Sequence, residues 1–331
     1  MPLKNTSDVP NLSASSFPKR PLCVVVVGPT ASGKSLLASE VAHRHNGEII
    51  SMDSTAIYDG FHIGTDRPSP EVLARCPHHL LGTLPPLAPY SAHEFAVRAA
   101  KKMQEILHRQ KTPFLVGGTY FYLRALQHGM LTGGDIPESV FEEIDAEFDP
   151  ETPGSSERLY AALLACQPQA AERLHPRDRY RCSRALAYAR TTGKSAQAQE
   201  PVLVDPFLRN VLWLKYATLY SRAELHTRIE ARTDRMLQAG LVDETKKLLE
   251  AYPLARALQS IGYKECVAFL RGHIRDQATL RQSIREATRQ LAKRQMVWLR
   301  QDYEIRYVDH RDGDRMSLDI ENLRAVLSSH A

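Results

Sequence analysis

The clearest pattern in the chain is a set of short apolar runs separated by longer stretches with helical spacing. The run from Leu22 to Val27 is rich in valine and leads directly into Gly-Pro, as expected of a buried parallel strand that precedes a loop and a helix. Similar runs predict strands at Glu48–Met52, Pro113–Val116 and Val211–Tyr216, and an edge strand at Ile305–Val308. Strands that alternate with helices in this way predict an α/β fold with a parallel sheet and flanking helices.

The strand pattern disappears between residues 132 and 204, where glycines and prolines interrupt short helical pieces such as Ser183–Thr191. We therefore predict a helical insertion domain at 132–204 within a core domain that comprises residues 21–131 and 205–331. The opening residues 1–20 are rich in Ser, Pro, Asn and Thr, which is typical of a disordered leader.

Helical spacing dominates again from Leu219 to Arg300. One helix face there carries apolar residues, namely Ile284, Ala287, Leu291 and Trp298. A basic stripe with a spacing of four lies beside it, formed by Arg281, Arg285, Arg289 and Lys293. The stripe is either a solvated helix face or a contact surface for nucleic acid.

Composition narrows the class of protein. The 331 residues are 24% charged and 43% hydrophobic, as in an ordinary globular protein, and no run approaches the roughly 18 apolar residues of a membrane span. The five cysteines contain no Cys-x-x-Cys pair, so we expect no disulfide framework and a cytoplasmic protein, which we also expect to be a monomer. The net charge is +5, yet residues 271–300 alone hold eight Lys or Arg against two acidic residues.

A phosphate-binding motif follows the first predicted strand. It consists of Gly28, Pro29, Thr30, Ala31, Ser32, Gly33, Lys34 and Ser35. In such a loop the glycines permit a tight turn, backbone N–H groups converge on phosphate oxygens, the lysine adds positive charge and the final hydroxyl reaches Mg²⁺. The motif therefore predicts a phosphate site with Ser35 as a magnesium ligand.

The rest of an ATP-hydrolysing site is missing from the pattern. Phosphoryl transfer to or from ATP normally needs a second carboxylate after another strand, but the strand at Pro113–Val116 is followed by Gly117, Gly118 and Thr119. The second strand is followed instead by Asp53, which should face the same crevice as the loop. Asp53 is then either a catalytic group or the cap of a following turn.

Several strings of residues, in order from about residue 22 to residue 302, resemble the tRNA dimethylallyltransferase (isopentenyltransferase) family of the bacterial type. Besides the loop, they are Asp53–Tyr58, Ile63–Pro68, Pro77–His79, Tyr90–Ser91, Val116–Thr119, Arg124–Leu126, Arg184–Leu186 with Thr192–Lys194, Arg228–Glu230, Met236–Leu241, Ile261–Glu265 and Thr288–Gln295. The resemblance implies a P-loop NTPase-like sheet. It also implies transfer of a dimethylallyl group from its diphosphate to the N6 amine of the adenosine 3′-adjacent to the anticodon, in tRNAs that read codons beginning with U.

The resemblance also implies roles for individual residues. Asp53 matches the family's general base, and Thr119 matches the threonine that hydrogen-bonds the leaving oxygen. The loop would bind the diphosphate with Mg²⁺ as cofactor, and Arg228 or Arg232 is a further candidate for that role. The implied contacts with the tRNA anticodon stem-loop are Asp53, Ser54, Thr55, Ala56, Tyr180, Arg181, Cys182, Ser183, Arg184, Gln259, Ser260, Ile261, Gly262, Tyr263 and Lys264.

Alternatives remain open at this stage. The two arginines fit equally well as surface ion-pair partners of Glu224 or Glu230, and Ile261–Tyr263 fits a helix-terminating turn. Tyr120 departs from the small residue often found after Gly-Gly-Thr in the family. For the whole chain, the competing functions are a P-loop kinase of small molecules, an isopentenyltransferase of free adenylate and a non-enzymatic RNA-binding module.

One further cluster invites a metal site. Cys76, His78 and His79 supply only three potential ligands with no second cluster, so we do not expect a metal there.

Overall fold

The computed structural model describes residues 20–130, 136–193 and 201–329. The leader predicted at 1–20 lies outside these ranges except for Arg20. The insertion boundary predicted at residue 132 also lies outside them, and so does Lys194, which ends one of the family strings. The chain divides into two compact units: one comprises the residues up to Gln127 and those from Val204 onward, and the other comprises His128–Leu203.

The first unit contains a six-stranded sheet in which every strand pair is parallel. The strands are β1 (Leu22–Val27), β2 (Gly47–Met52), β3 (His78–His79), β4 (Thr112–Gly117), β5 (Leu212–Leu219) and β6 (Arg306–Asp309). Their order is β3-β2-β4-β1-β5-β6, so β1 is central and β6 lies at an edge. The predicted α/β fold with a parallel sheet is confirmed.

Within the described residues, nine α-helices of this unit surround the sheet or extend from it. They are α1 (Lys34–Arg44), α2 (Pro70–Arg75), α3 (Ala92–His108), α4 (Tyr120–His128), α9 (Arg222–Gln238), α10 (Leu241–Ala251), α11 (Tyr263–Leu270), α12 (Gln277–Leu299), and finally α13 (Gly313–Ser329), with α4 reaching one residue into the other unit. Short 3₁₀ turns span Pro206–Asn210 and Arg256–Gln259.

Both faces of the sheet are covered. Val24 and Phe114 point to one face, where they form an apolar core with α1 and α13. The neighbouring Val25 and Leu115 alternate to the other face and are also fully buried, and α3 packs against β2 and β4. Burial on both faces explains why these strands are continuous apolar runs in the sequence.

The second unit is helical in the part that the structure describes. Its helices are α5 (Glu138–Glu147), α6 (Ser155–Cys166), α7 (Pro168–Ala171) and α8 (Arg179–Thr192). They enclose a separate apolar core that includes Ile144, Leu159, Leu163 and Leu186. The two ends of the unit pair with each other, since Met130 and Val202 exchange backbone hydrogen bonds of 3.2 and 2.9 Å.

Strand β3 was not predicted from the sequence. It contains only two residues, which pair with Ile49 and Ile50 of β2. His79 Nε2 lies 2.6 Å from Glu48, the thiol of Cys76 is buried, and no group of three potential metal-binding side chains occurs in the described ranges. These residues therefore contribute to an edge of the sheet.

None of the helices in the described ranges is both long and apolar enough to cross a membrane.

Glu48 illustrates how the sheet tolerates a buried charge. Its carboxylate, 5% exposed, lies 2.6 Å from Arg109, 2.9 Å from Lys111 and 2.6 Å from His79. Burial alone would raise the pKa of Glu48, but the hydrogen bonds from Arg109, Lys111 and His79 lower it to about 2. The ion cluster therefore stabilises the folded state above the ordinary glutamate pKa of 4.5, and this contribution is lost as the pH falls towards 2.

We predict that Glu48→Gln lowers the free energy of unfolding at pH 7 by about 3 kcal/mol, and that the difference from the wild type shrinks towards pH 2. Urea denaturation across this pH range measures both effects. Glu40→Gln, on a side chain that is 53% exposed, is the matched control. A loss that is independent of pH would contradict this electrostatic explanation.

Candidate active site

The phosphate-binding loop lies between β1 and α1, where the sequence predicted it. A Cβ atom on Gly28 would lie only 2.5 Å from Thr218 Oγ1 and 2.6 Å from Ser32 Oγ, so no larger residue fits there. Gly33 has a φ of +72° and is the N-cap of α1, and Ala31 has a φ of +65°. Buried Thr218 donates a 2.7 Å hydrogen bond to Ser32, which ties the loop to β5.

Gln295 of α12 joins this loop to the Gly-Gly-Thr segment after β4. Its Oε1 accepts the N–H of Thr30 at 2.8 Å, and its Nε2 donates to the carbonyl of Gly118 at 3.0 Å. A Cβ on Gly118 would lie 2.3 Å from this nitrogen. In the sequence, Gln295 is only the last residue of a family string, and this bridging role was not predicted.

Arg228 and Arg232 both reach the loop from α9. Arg228 Nε donates to the carbonyl of Ala31 at 2.8 Å, and Arg232 Nη1 donates to Thr30 Oγ1 at 3.0 Å. The alternative that they pair with Glu224 or Glu230 is wrong: Glu224 completes the capping box of α9 with Ser221, and Glu230 pairs with Arg289.

A cavity of about 560 Å³ opens beside the loop at the carboxyl ends of the strands. Its polar wall includes Thr30, Lys34, Ser35, Asp53, Thr119 and Arg232. Its apolar wall includes Val116, Met236, Ile284, Leu291 and Trp298. Leu291 and Trp298, which the sequence placed on an apolar helix face, therefore line a cavity that can accept an apolar group.

Asp53 both caps a turn and faces this cavity. Its Oδ1 accepts the N–H groups of Thr55 at 2.8 Å and Ala56 at 3.0 Å. Its second carboxylate oxygen accepts no hydrogen bond from the described residues. The turn orients the carboxylate, and the second oxygen is available to accept a proton from a bound molecule.

The pKa of Lys34 is strongly lowered by its surroundings. Burial, and to a smaller extent the charge of Arg232, lowers the pKa of its ammonium to about 8, against the opposing effect of the carboxylates of Asp53 and Asp66. A buried cation whose pKa is depressed in this way gains a compensating partner when an anion enters the cavity.

The segment Gln259–Lys264 divides between cavity and core. Gln259, Ser260, Ile261 and Gly262 line the cavity. Tyr263 is fully buried, which places its side chain in the core rather than on an RNA-contacting surface, and Lys264 is exposed. Gly262 has a φ of +93° and its N–H is bonded by Glu265, so this turn begins α11 instead of terminating a helix as the alternative interpretation proposed.

In the helical unit, the predicted RNA contacts lie at the start of α8, which Asp178 caps through the N–H of Arg181. Tyr180 is 69% exposed, and Arg184 lies over its ring at 5.9 Å. Cys182, in contrast, is buried in the core of this unit, so its side chain is not exposed for the RNA contact that the resemblance implied. Its spacing of four from the buried Leu186 is the signal that could have indicated this.

Tyr120 forms part of the cavity wall. Its ring stacks on Trp298 with a centroid separation of 6.3 Å, and its hydroxyl donates a hydrogen bond to Asp302. Asp302 in turn lies 2.9 Å from Lys215, a buried side chain of β5. The departure from the family pattern at this position therefore brings an anchored aromatic ring next to Thr119.

The basic stripe of α12 is largely neutralised within the protein. Arg281 and Arg285 pair with Asp234 at 3.0 and 2.8 Å, and Arg289 pairs with Glu230. Lys293 is exposed and has no ion-pair partner in the described ranges. Arg294 is also exposed and lines the cavity, although it was not among the predicted site residues.

A sequence model of the IPP transferase family matches residues 56–302. The chain is 40% identical to tRNA dimethylallyltransferase 2 of Geotalea uraniireducens over 295 residues, which cover 88% of this chain and 93% of that protein. It is 41% identical to the tRNA dimethylallyltransferase of Halorhodospira halophila over 317 residues, which cover 93% of this chain and 96% of that protein. These two alignments span most of both chains.

Solved structures agree with this relationship. The tRNA isopentenylpyrophosphate transferase of Bacillus halodurans is 31% identical with a TM-score of 0.65, and the match covers 94% of this chain and 97% of that one. A eukaryotic dimethylallyltransferase acting on tRNA is 28% identical with a TM-score of 0.73, with coverages of 88% and 74%. Sequence and structure together show that the chain belongs to the IPP transferase family.

Proposed function

We propose that the protein is a tRNA dimethylallyltransferase, which transfers a dimethylallyl group from dimethylallyl diphosphate to the N6 amine of the adenosine 3′-adjacent to the anticodon, in tRNAs that read codons beginning with U. The observation that carries the proposal is that one cavity contains both the phosphate-binding loop and Asp53. The names of the relatives support both the tRNA substrate and the transferred group.

The reaction needs charge stabilisation at one end of the cavity and proton removal at the other. The C–O bond of the donor breaks as the N–C bond forms, so negative charge develops on the diphosphate. Lys34, Arg232 and the backbone N–H groups of the loop are positioned to stabilise that charge. Thr119 is the proposed hydrogen-bond donor to the leaving oxygen, and Asp53 the proposed acceptor of the amine proton.

The residues present fit a magnesium ion. The hydroxyl of Ser35 and the carboxylate of Asp53 both face the cavity, and Mg²⁺ in phosphate sites is typically bound by one or two such oxygens together with phosphate oxygens and water. We propose that Ser35 holds the ion together with the donor diphosphate. When bound, Mg²⁺ would neutralise charge on the leaving diphosphate.

An adenosine in an anticodon loop must be turned out of its stack to reach the cavity. Exposed or cavity-lining residues support this role in three segments: Ser54 and Thr55 after β2, Tyr180, Arg181 and Arg184 of α8, and Gln259–Gly262 with Lys264. Ser183 of α8 is half-buried. Exposed aromatic and guanidinium groups such as Tyr180 and Arg184 are suited to stacking on unpaired bases.

The ion pairs on α12 lead to a prediction about salt dependence. Lys293→Gln should weaken tRNA binding and reduce the slope of log K against log salt concentration by about 0.7–0.9, the loss of one phosphate contact. Arg285→Gln removes the same charge from a side chain already paired with Asp234, so its slope should stay at the wild-type value. Filter binding over a salt series tests this, and equal slopes for the two variants would show that Lys293 touches no phosphate.

The proposed activity is tested by incubating the protein with radiolabelled dimethylallyl diphosphate, Mg²⁺ and either unmodified tRNA or AMP. Label in tRNA alone is the expected result. Label in AMP would instead identify an adenylate isopentenyltransferase, and label in neither would overturn the proposal. Mapping the labelled nucleotide in the tRNA tests the proposed position.

A further inference from the structure

Glu244 of α10 binds a loop that lies about 180 residues earlier in the chain. Its carboxylate accepts the N–H of Ile63 at 2.9 Å and 3.0 Å, the N–H of Gly64 at 3.3 Å and the N–H of His62 at 3.3 Å. Three successive backbone N–H groups thus converge on one carboxylate, an arrangement that backbone loops otherwise use to bind anions.

Tyr263 completes this contact. Its hydroxyl donates to Glu244 at 2.7 Å and accepts the N–H of Gly64 at 3.1 Å. Its buried ring occupies the space next to Gly64, where a Cβ would lie only 2.4 Å from the ring, and it packs edge-on against Phe61 at 4.9 Å. We call the contact of Glu244 and Tyr263 with residues 62–64 the loop clamp.

Side-chain contacts connect the clamped loop with the phosphate-binding loop. Asp66 has a φ of +56°, a left-handed conformation that aspartate adopts more readily than most residues other than glycine, and its N–H donates to the carbonyl of Ile63 at 3.0 Å. Its carboxylate lies 3.6 Å from Arg232 Nε, and Arg232 donates to Thr30 of the phosphate-binding loop at 3.0 Å. A continuous chain of contacts therefore connects the loop clamp with the diphosphate end of the cavity.

We propose that Glu244 and Tyr263 are positioning residues for donor binding: the loop clamp fixes Asp66, and Asp66 holds the Arg232 guanidinium against Thr30 in the orientation that receives the diphosphate. This inference rests on the proposed function, since it concerns the affinity for dimethylallyl diphosphate. A role of Glu244 in stability alone would not depend on Arg232.

The test is a double-mutant cycle on the full-length protein. Glu244→Gln keeps the shape of the side chain but removes its charge and places an amide N–H₂ among backbone donors. We expect it to raise the donor KM about five- to tenfold with a smaller change in kcat. In an Arg232→Ala background, the same change should alter the donor KM by less than about twofold, because the group that it positions is absent. Tyr263→Phe, which removes one bond of the clamp, should give a smaller increase.

Glu250→Gln, on an exposed side chain of the same helix, is the matched control and should retain the wild-type KM. Thermal unfolding of all variants separates stability from donor binding. A KM effect of Glu244→Gln that persists undiminished without Arg232, or a KM equal to that of the control variant, would overturn the proposal. If the wild type itself transfers no label to tRNA, the proposed function fails instead, so the two failures are distinguishable.

Discussion

Replacing Asp53 by Asn should slow prenyl transfer to tRNA by about 10²- to 10⁴-fold, the range typical of lost general-base catalysis. The Asn side-chain oxygen can still accept the N–H groups of Thr55 and Ala56, so the turn after β2 is retained. What is lost is the free carboxylate oxygen that would accept the proton of the amine. Single-turnover measurements with saturating donor and tRNA isolate this step.

Two comparisons make the Asp53 result specific. Asp59→Asn applies the same change to an exposed carboxylate that accepts the N–H of its neighbour Gly60 and lies 3.8 Å from the His62 ring, and it should leave transfer unchanged. Asp53→Ala removes both the base and the turn, so it should show the same loss of transfer and an additional loss of stability. Transfer at the wild-type rate by the Asn variant would exclude Asp53 as the base.

Replacing Lys34 by Met should lower kcat/KM for the donor by about 10²- to 10³-fold, because it removes a cation aimed at the developing charge of the leaving group. The wild type should also show a pH effect. The pKa of Lys34 is lowered to about 8, so the ammonium is present below this pH and is lost above it. The donor KM of the wild type should therefore rise above about pH 8, and that of the Met variant should not.

The control for Lys34 is Lys247→Met, on an exposed lysine of α10, which should preserve both kcat/KM and its pH dependence. In Arg232→Ala the pH break should move upwards, because the charge of Arg232 contributes to lowering the pKa of Lys34. A pH profile with the same break in the Lys34→Met variant would assign the titration to a different group.

Structural features that depend on neighbouring residues, or on a short repeat of apolar positions, were predicted correctly. The central strands were predicted because burial on both faces leaves a continuous apolar run, and the loop was predicted because its glycines and Lys-Ser follow such a run. Strand β3 could not be predicted, since two residues carry no period. Asp53 lies at the cavity, as predicted, and it also caps the following turn, whereas its role as the catalytic base stays a prediction.

Partners that are distant in sequence could not be predicted. Spacing alone left open whether Arg228 and Arg232 pair along their own helix, and the structure shows that both contact a loop about 200 residues earlier. Likewise, a spacing of four identified the basic stripe on α12 but gave no indication that Asp234 and Glu230 of α9 neutralise three of its members. Which ion pair forms depends on how helices pack, and that information is not local.

Because the two ends of the helical unit pair with each other, this segment of the chain can be replaced in evolution. Because Met130 and Val202 are hydrogen-bonded to each other, the chain leaves α4 and returns towards β5 through neighbouring backbone positions. A different segment, or a short turn, can take its place if the two ends of the replacement lie as close together as two paired strands. The contacts proposed between the helical unit and the acceptor can thus change when this segment is replaced, while the register of the strands in the sheet is kept.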